Sequence, residues 1–445
     1  MKSMKRLIKR LVPERVMLTY HYVVAVLAAL VYGVPSRKMV VIGVTGTKGK
    51  TSAINFIWSV LTKGGYKTGI ISTANIRIGD MEMLNKYHMT MPGRFTIQKL
   101  LSQMVKAGCK YCLVETTSEG LKQYRQVGVY YDWAVFTNLF PEHLEAHGGI
   151  FTKYKETKAK MFKGLTRHRK IIDGKKIEKV IIANKDSEYA DYFLQFPADK
   201  KIIFGLKSGG DYRATDIVEE NSEIEFKAGG YEFELNIPGR FNIYNALPAI
   251  IIGQLVGVPN ELIAEGLEKL RVIPGRMERI DVGQNFIVIV DYAHEKESIT
   301  AVLETANKMR TDNGKVIILL GAEGGGRDRA KRPIMGELAG KMADYVVVSN
   351  VDPYDDDPEK ILEDITVAVE KVGKTRNENL FVIADRREGI KKALSLASTD
   401  DVVLITGKGA EQSMVIKGRR TPWDDREVVK EELQNINSTS SKLGE

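Results

Sequence analysis

A chain of 445 residues with 43% hydrophobic and 28% charged side chains has the composition of a globular protein and the length for two or three packed domains. Its 66 Lys and Arg against 57 Asp and Glu leave a formal charge of +9, which favours anionic partners such as nucleotides, phosphorylated sugars, nucleic acid or an acidic membrane face. The basic residues are spread along the chain without interleaved aromatics, so a nucleic-acid ATPase gains little support and no nucleic-acid partner is expected. Cys109 and Cys112 form a lone C-x-x-C. A structural zinc site needs four ligands, and Cys112 opens the apolar run YCLVE, which reads as a buried strand and fits a reducing cytoplasm.

In chain order, residues 1–38 come first. Lys2, Lys5, Arg6, Lys9, Arg10 and Arg15 lead into the mostly apolar stretch VMLTYHYVVAVLAALVYGV. Its length is near the minimum for a membrane span. The positive-inside rule would then hold the basic end in the cytoplasm and send everything after Val34 outside, away from ATP. No small-residue cleavage site follows, since Gly33, Val34 and Pro35 run into a strand pattern. The stretch is therefore read as a helix that packs on the catalytic body, with a partner or a membrane surface as the open alternatives.

From Met39 onward, apolar strand-like runs alternate with helical patterns, which predicts an α/β architecture with largely parallel sheets. The first block holds VVIGVTG, TGIIST, YCLVETTS, WAVFTNL and KVIIANKD, with helical patterns at 51–63 and 152–165. EIEFKAGGYEFELNI then alternates around Gly229 and Gly230 as a β-hairpin does, and helical patterns follow at 242–256 and 260–269. A second block, from near Pro274, repeats a strand and helix unit with strands at 286–291, 315–321, 345–350, 380–385 and 401–407, a small doubly wound domain. The domains expected are a basic and apolar helical segment at 1–38, a central P-loop ATP-binding domain with a parallel sheet at 39–272, a C-terminal Rossmann-like doubly wound domain at 273–437, and a frayed polar tail at 438–445.

The strand VVIGV enters a turn built of Thr45, Gly46, Thr47, Lys48, Gly49, Lys50, Thr51 and Ser52, and a helical pattern follows. Backbone N–H groups in such a turn point at phosphate oxygens, Lys50 neutralises charge, and the Thr51 hydroxyl suits Mg²⁺. The general P-loop pattern has glycine where this chain has Val44, so the match is to a variant. Other polar residues sit where strands end, the ligand-binding edge of an open parallel sheet. Glu115 ends CLVE, and Asn138 ends AVFTN ahead of Glu142, His143, Glu145 and His147. Carboxylate oxygens near phosphates suit a hard cation.

These features, with their order along the chain, resemble the Mur ligases, the ATP-dependent enzymes of peptidoglycan-precursor assembly. The resemblance rests on TGTKGKTS, ETTSEGL, TNLFPEHLEAHG, YKETKAKMF, PGRFNIYNALPAI, PGRMERID, VDYAHE, GAEGGGRDRAKRPIMG and TGKGAEQ, spread from Met39 to about Leu433. Within the family the chain is most like the branch that adds the third residue of the stem peptide, the UDP-N-acetylmuramoyl-tripeptide synthetases. The resemblance implies ATP and Mg²⁺, with Lys50 and Thr51 at the β- and γ-phosphates, Thr51 and Glu115 at one metal, and His143 at a second. Lys158 matches a lysine that the family carbamylates, which turns a cation into an oxygen ligand. Asn245 matches an adenine contact, and Arg276 and Asp291 a closure over the nucleotide from the second domain. Thr90 and Pro92 in MTMPGR, with Ser118, match the region that meets the muramoyl-dipeptide, and Glu411, next to Gly407, matches a group that receives the attacking amine.

Two departures stand out. The usual member carries a separate N-terminal domain for the uridine nucleotide, whereas about 38 residues precede the first strand here, so the apolar helix or another subunit is expected to substitute. Diaminopimelate-adding relatives carry Asp-Asn-Pro-Arg, whose arginine grips the distal carboxylate. This chain reads Val351, Asp352, Pro353, Tyr354, then Asp355, Asp356 and Asp357. The carboxylate clamp is missing, and acidic groups suit the side-chain ammonium of lysine or another diamino acid, unless they cap the helix that starts near Pro358. The expected function is a cytoplasmic, ADP-forming ligase that joins an amino acid to a nucleotide-linked muropeptide carboxylate through an acyl phosphate. A folylpolyglutamate synthase or a non-catalytic Mur-like binding protein are the rivals.

Overall fold

The structure is a computed structural model that describes residues 13–87, 89–142, 144–220 and 223–442, with the backbone alone for 437–442. The described chain divides into two compact units. One runs to Thr215 and includes Lys227–Glu232 and Tyr244–Leu267; the other takes Asp216–Phe226, Phe233–Ile243 and the chain from Glu268 on.

The first unit is built on strands β1 (Val40–Thr45), β2 (Thr68–Ile71), β3 (Asn75–Ile78), β4 (Met81–Leu84), β5 (Tyr111–Glu115) and β6 (Trp133–Phe136). A short pair, β7 (Ile171–Ile172) and β8 (Lys175–Lys176), precedes β9 (Val180–Asn184), β10 (Lys200–Gly205) and β11 (Tyr212–Arg213). Nine of these form one sheet in the order β11-β10-β9-β6-β1-β5-β2-β3-β4, parallel except where β3 and β4 fold back at one edge. β1, β5, β6 and β9 are buried at every position, which is why they read as unbroken apolar runs rather than alternating ones. The β3–β4 hairpin and β10–β11 lie toward the edges, are partly exposed, and carry too weak an apolar signal to be read from sequence. Cys112 lies in β5, fully buried, with its Sγ 3.4 Å from Met104 Sδ, and both cysteines are free thiols.

The helices of this unit are α1 (Glu14–Val31), α2 (Lys50–Lys63), α3 (Arg94–Lys106), α4 (Ser118–Lys122), α5 (Phe151–Lys163), α6 (Ala190–Leu194), α7 (Phe241–Leu255) and α8 (Asn260–Glu268), the first three residues of α7 and the last of α8 being assigned to the second unit. α2 starts behind Gly49, whose φ of 81° is a left-handed conformation that glycine adopts without strain. α5 presents Phe162 to an aromatic cluster with Phe136 and Phe193, whose ring centroids lie 4.1–4.9 Å apart. At the opposite end of β1 lies a buried ionic knot. Asp132 accepts from Val41 N at 2.9 Å, from Lys179 at 2.8 Å and from Lys170, while Lys170 also donates to the carbonyls of Ser36, Met39 and Tyr130.

Between these elements, β12 (Thr215–Glu220), β13 (Glu223–Ala228) and β14 (Tyr231–Leu235) form a three-stranded sheet, with Gly229 and Gly230, both at positive φ, turning the hairpin.

In the second unit, β15 (Glu278–Ile280), β16 (Ile287–Asp291), β17 (Val316–Leu320), β18 (Tyr345–Val348), β19 (Leu380–Val382) and β20 (Val402–Thr406) form a sheet in the order β15-β16-β20-β17-β18-β19, parallel but for β15. Helices α9 (Lys296–Met309), α10 (Lys331–Met342), α11 (Pro358–Lys371) and α12 (Arg386–Ser395) connect the strands, and a hairpin of β21 (Ser413–Ile416) and β22 (Arg419–Pro422) precedes α13 (Asp425–Lys442). Asp357 caps α11 by accepting from Glu359 N at 3.1 Å, which is the capping role weighed for this aspartate. α13 runs on through the segment read as a polar tail, because NSTSSK contains neither Gly nor Pro to stop it.

Asp132 is the one acid that answers two buried ammonium groups, so its removal leaves both uncompensated. Asp132→Ala should destabilise the first unit by about 3–5 kcal/mol, read as a lowered urea midpoint of tryptophan fluorescence from Trp58 and Trp133.

Candidate active site

β6, β1 and β5 are neighbours at the centre of the first sheet, and their carboxyl ends deliver the polar groups to one place. In register, Val44 of β1 lies beside Glu115 of β5, and Thr45 beside Phe136 of β6. The turn after β1 is braced from β6: Asn138 Oδ1 accepts from Lys48 N at 2.8 Å, its carbonyl accepts from Thr47 N at 2.9 Å, and Thr137 Oγ1 donates to Lys48 O at 2.7 Å. The packing leaves no room for side chains at the two turn glycines. A Cβ on Gly46 would sit 2.0 Å from Thr137 Oγ1, and one on Gly49 would sit 2.2 Å from Asn245 Oδ1. Asn245, on α7, is thereby held against the turn, and Lys50 Nζ donates to Thr47 O at 2.9 Å.

Thr51, in the first turn of α2, donates its hydroxyl to Glu115 Oε2 at 2.9 Å, and both residues are buried. The same carboxylate accepts from Thr73 N at 2.8 Å and from Thr73 Oγ1 at 3.0 Å, and Thr73 Oγ1 lies 2.8 Å from Thr90 Oγ1. Lys158 reaches the turn from α5. It is fully buried, donates to Gly46 O at 2.7 Å, and lies over the Tyr154 ring. Burial, then the nearby Lys50, pushes its amine well below the usual lysine range against the pull of Glu142 and Glu115. Glu142 pairs with Lys48 at 2.9 Å. His143 lies outside the described residues. Ser118 bonds His147 Nε2 at 3.1 Å, so His147 acts within the loop framework.

Pro92 is buried beside Met91, at the start of α3. Just beyond, the structure brings together two arginines that the sequence reading passed over. Arg94 donates to Gln123 O and Arg125 to Met91 O, yet neither Nε has a hydrogen-bond partner among the described residues. Burial and the adjacent Arg125 lower the Arg94 pKa. Arg94 closes MTMPGR and Arg125 comes four residues after ETTSEGL, but two lone arginines so far apart in sequence carry no signal that they meet.

The second unit gathers its own polar groups at the carboxyl ends of β16, β20, β17 and β18. Asp291 accepts from Met277 N and Ala293 N, each at 2.7 Å, and Gly407 N donates to the Asp291 carbonyl at 3.2 Å. Arg276 stacks on the Tyr292 ring at 4.4 Å, and the Tyr292 hydroxyl donates to Glu411 at 3.3 Å. Lys408, fully buried, bonds both Asp352 and Glu411 at 2.9 Å. Asp352 is itself fully buried and its other oxygen accepts from Val415 N at 2.6 Å, so its charge is already answered inside the unit. The sequence reading assigned Asp352 to the substrate; the structure places it behind Glu411 as a support. Glu323 pairs with Arg327 at 3.1 Å, and burial with Glu323 pushes the Tyr354 phenol up to about 12.

Comparison with known proteins adds the following. Residues 44–253 match the Mur ligase middle domain, and residues 275–409 match the Mur ligase glutamate ligase domain. The chain is 35% identical over 421 residues to the UDP-N-acetylmuramyl-tripeptide synthetase of Roseiflexus sp. (strain RS-1), covering 93% of this chain and 82% of that one. It is 37% identical over 406 residues to the UDP-N-acetylmuramoyl-L-alanyl-D-glutamate--2,6-diaminopimelate ligase of Aquifex aeolicus (strain VF5), covering 90% and 79%. A solved structure of a UDP-N-acetylmuramoyl-L-alanyl-D-glutamate--2,6-diaminopimelate ligase superposes with a TM-score of 0.59 at 28% identity, over 90% of this chain and 79% of that one. A folylpolyglutamate synthase of Mycobacterium tuberculosis gives 0.68 at 17% identity over 86% and 92%, a likeness of fold alone.

Burial, then Lys122, Lys158 and Lys160, push the His147 imidazole down from 6.5 to about 4. It is neutral at pH 7, and on acidification the unfolded chain takes up this proton before the folded chain does. The stability associated with His147 is thus complete above pH 6.5 and is lost as pH falls toward 4. His147→Gln should flatten the fall in thermal midpoint across that window, and NMR of the His147 ring should show no titration above about pH 5.

Proposed function

We propose that this chain, which belongs to the Mur ligase family of ATP-dependent, ADP-forming acid–amino-acid ligases, extends a UDP-N-acetylmuramoyl-dipeptide carboxylate by one diamino acid in peptidoglycan-precursor synthesis. The observation that carries this reading is the convergence of Lys50, Thr51, Glu115 and Lys158 on one glycine-rich turn at the carboxyl edge of β1. The relatives' names supply the substrate class.

In this reading the turn N–H groups and Lys50 hold the ATP phosphates, with Asn245 beside the turn at the adenine. The acceptor carboxylate attacks the γ-phosphate, the bond to the ADP oxygen breaks, and an acyl phosphate forms. The amine of the incoming amino acid then attacks the acyl carbon, loses a proton and expels phosphate, leaving an amide, ADP and phosphate. Arg276 and Asp291 of the second unit are assigned to the nucleotide, and Glu411, oriented by Tyr292 and Lys408, to the attacking amine.

Thr51 and Glu115 offer a hydroxyl and a carboxylate oxygen 2.9 Å apart, a donor set that suits Mg²⁺, with His143 as a further ligand. Bound there, Mg²⁺ would supply charge neutralisation for the transferring phosphoryl group. Lys158 fits carbamylation, since burial that lowers its pKa makes the proton easier to lose, and the free amine can attack CO2, forming an N–C bond and releasing one proton.

Arg94 and Arg125, two half-buried guanidiniums beside Thr90 and Pro92, are assigned to the carboxylates of the acceptor peptide. Tyr354 stands where an arginine would clamp a distal carboxylate, which favours lysine or another diamino monocarboxylate over diaminopimelate. An ATP-consuming reaction of this kind belongs to the cytoplasm.

The test is phosphate release with ATP, Mg²⁺, UDP-muramoyl-dipeptide and a panel of amino acids, with a pteroylglutamate acceptor as the contrast. Release with lysine or ornithine and the muramoyl acceptor is expected; release only with the pteroyl acceptor would overturn the reading. Lys50→Ala should lower turnover by about 100-fold or more. Lys158→Ala should abolish turnover and recover part of it with added formate, and full activity in that variant would remove the carbamate. Glu411→Gln should raise KM for the amino acid by about tenfold while leaving KM for ATP unchanged.

A further inference from the structure

α1 is apolar on two faces, and the fold uses only one of them. Ala25, Ala28 and Ala29 are buried, with Ala29 packed so closely on Gly128 that a Cβ there would come within 2.4 Å. The helix is tied down at both ends. Glu14 pairs with Lys122 at 2.8 Å, and past its carboxyl end Ser36 donates to Gly128 O at 2.8 Å and accepts from Tyr130 N at 3.2 Å. The other face carries Val16, Tyr20, Val23, Leu27 and Leu30, spaced in steps of three and four, with Val31 four residues past Leu27, all exposed, with Leu30 and Val31 at 65% and 70%. Six contiguous apolar side chains on one stripe mark an interaction surface rather than chance exposure.

We propose that this stripe seats the protein on a lipid surface with anionic headgroups, α1 lying in the plane of the interface. Charge selects the occupant. Residues 1–13 carry Lys2, Lys5, Arg6, Lys9 and Arg10 and no acid, Arg15 follows on the helix, and Glu14 is already paired. An apolar stripe led by a basic segment, with a tyrosine on the stripe, matches an acidic headgroup layer over an acyl boundary. A span would break the contacts that hold α1 on the first unit. α1 has the length and apolarity to cross a bilayer, but its buried face and the anchored Ser36 hold it along the first unit. The proposal stands apart from the ligase reading, since vesicle binding needs no turnover.

The experiment uses the full chain and vesicles of phosphatidylcholine, with and without phosphatidylglycerol. Binding should be about tenfold tighter to the anionic vesicles and should weaken at about 0.5 M salt. Val23→Glu with Leu27→Glu and Leu30→Glu should lose about tenfold in vesicle affinity while the urea midpoint of the first unit stays unchanged. Lys5→Glu with Lys9→Glu should remove the preference for anionic vesicles. A nitroxide on Leu27→Cys should become shielded from a water-soluble relaxation agent when vesicles are added, a readout that holds even if the triple variant misfolds. Equal binding to both vesicle types, no shielding at Leu27→Cys, or a wild-type dimer that the stripe variant breaks without any vesicle binding would overturn the proposal.

Discussion

The hydrogen bond from Thr51 to Glu115 joins the first turn of α2 to the end of β5, and the site depends on what it enforces. Both groups are buried, and a carboxylate in such a place must be met by donors. Thr51 and two donors from Thr73 meet it. Satisfying that one acid therefore sets the position of α2, of the segment after β2, and of Thr90 beyond it. On the other flank Thr137 and Asn138 do the same for the turn itself, so the three central strands fix the glycine-rich turn between them. Lys158 completes the arrangement as a buried amine whose hydrogen bond to Gly46 O aims it at the turn.

The second unit obeys the same rule with ion pairs. Lys408 is fully buried and lies between Asp352 and Glu411, so one acid is neutralised in the interior and the other is held at the edge of the unit, partly open. Arg386 and Asp425, both fully buried and doubly bonded, pin α12 to α13. Buried pairs of this kind add little net stability compared with apolar packing, but a break in one is costly, so they hold geometry. Tyr292 shows the use of that geometry, since its ring carries Arg276 and its hydroxyl reaches Glu411.

α1 is held by a different force. Its alanine face packs because small side chains let the backbone approach Gly128, and Lys170 fixes the segment behind it by donating to Ser36 O while paired with Asp132. The apolar residues of its other face stay exposed, and the sequence ahead of them is basic.

The sequence by itself determined the alternation of strands and helices, the glycine-rich turn and the family, and it singled out Lys50, Thr51, Glu115 and, through the family resemblance, Lys158 as candidates, because each rests on local pattern or on residue order. Strands buried on both faces announce themselves as apolar runs, whereas β4, β10 and β11, partly exposed toward the sheet edges, carry no such signal. Only the tertiary structure decided that Asp352 turns inward to Lys408, that Asp357 caps α11, and that Arg94 and Arg125 stand side by side. Sequence states which charges are present; which charge answers which is settled by burial, since a group removed from water must take the partners that packing brings to it.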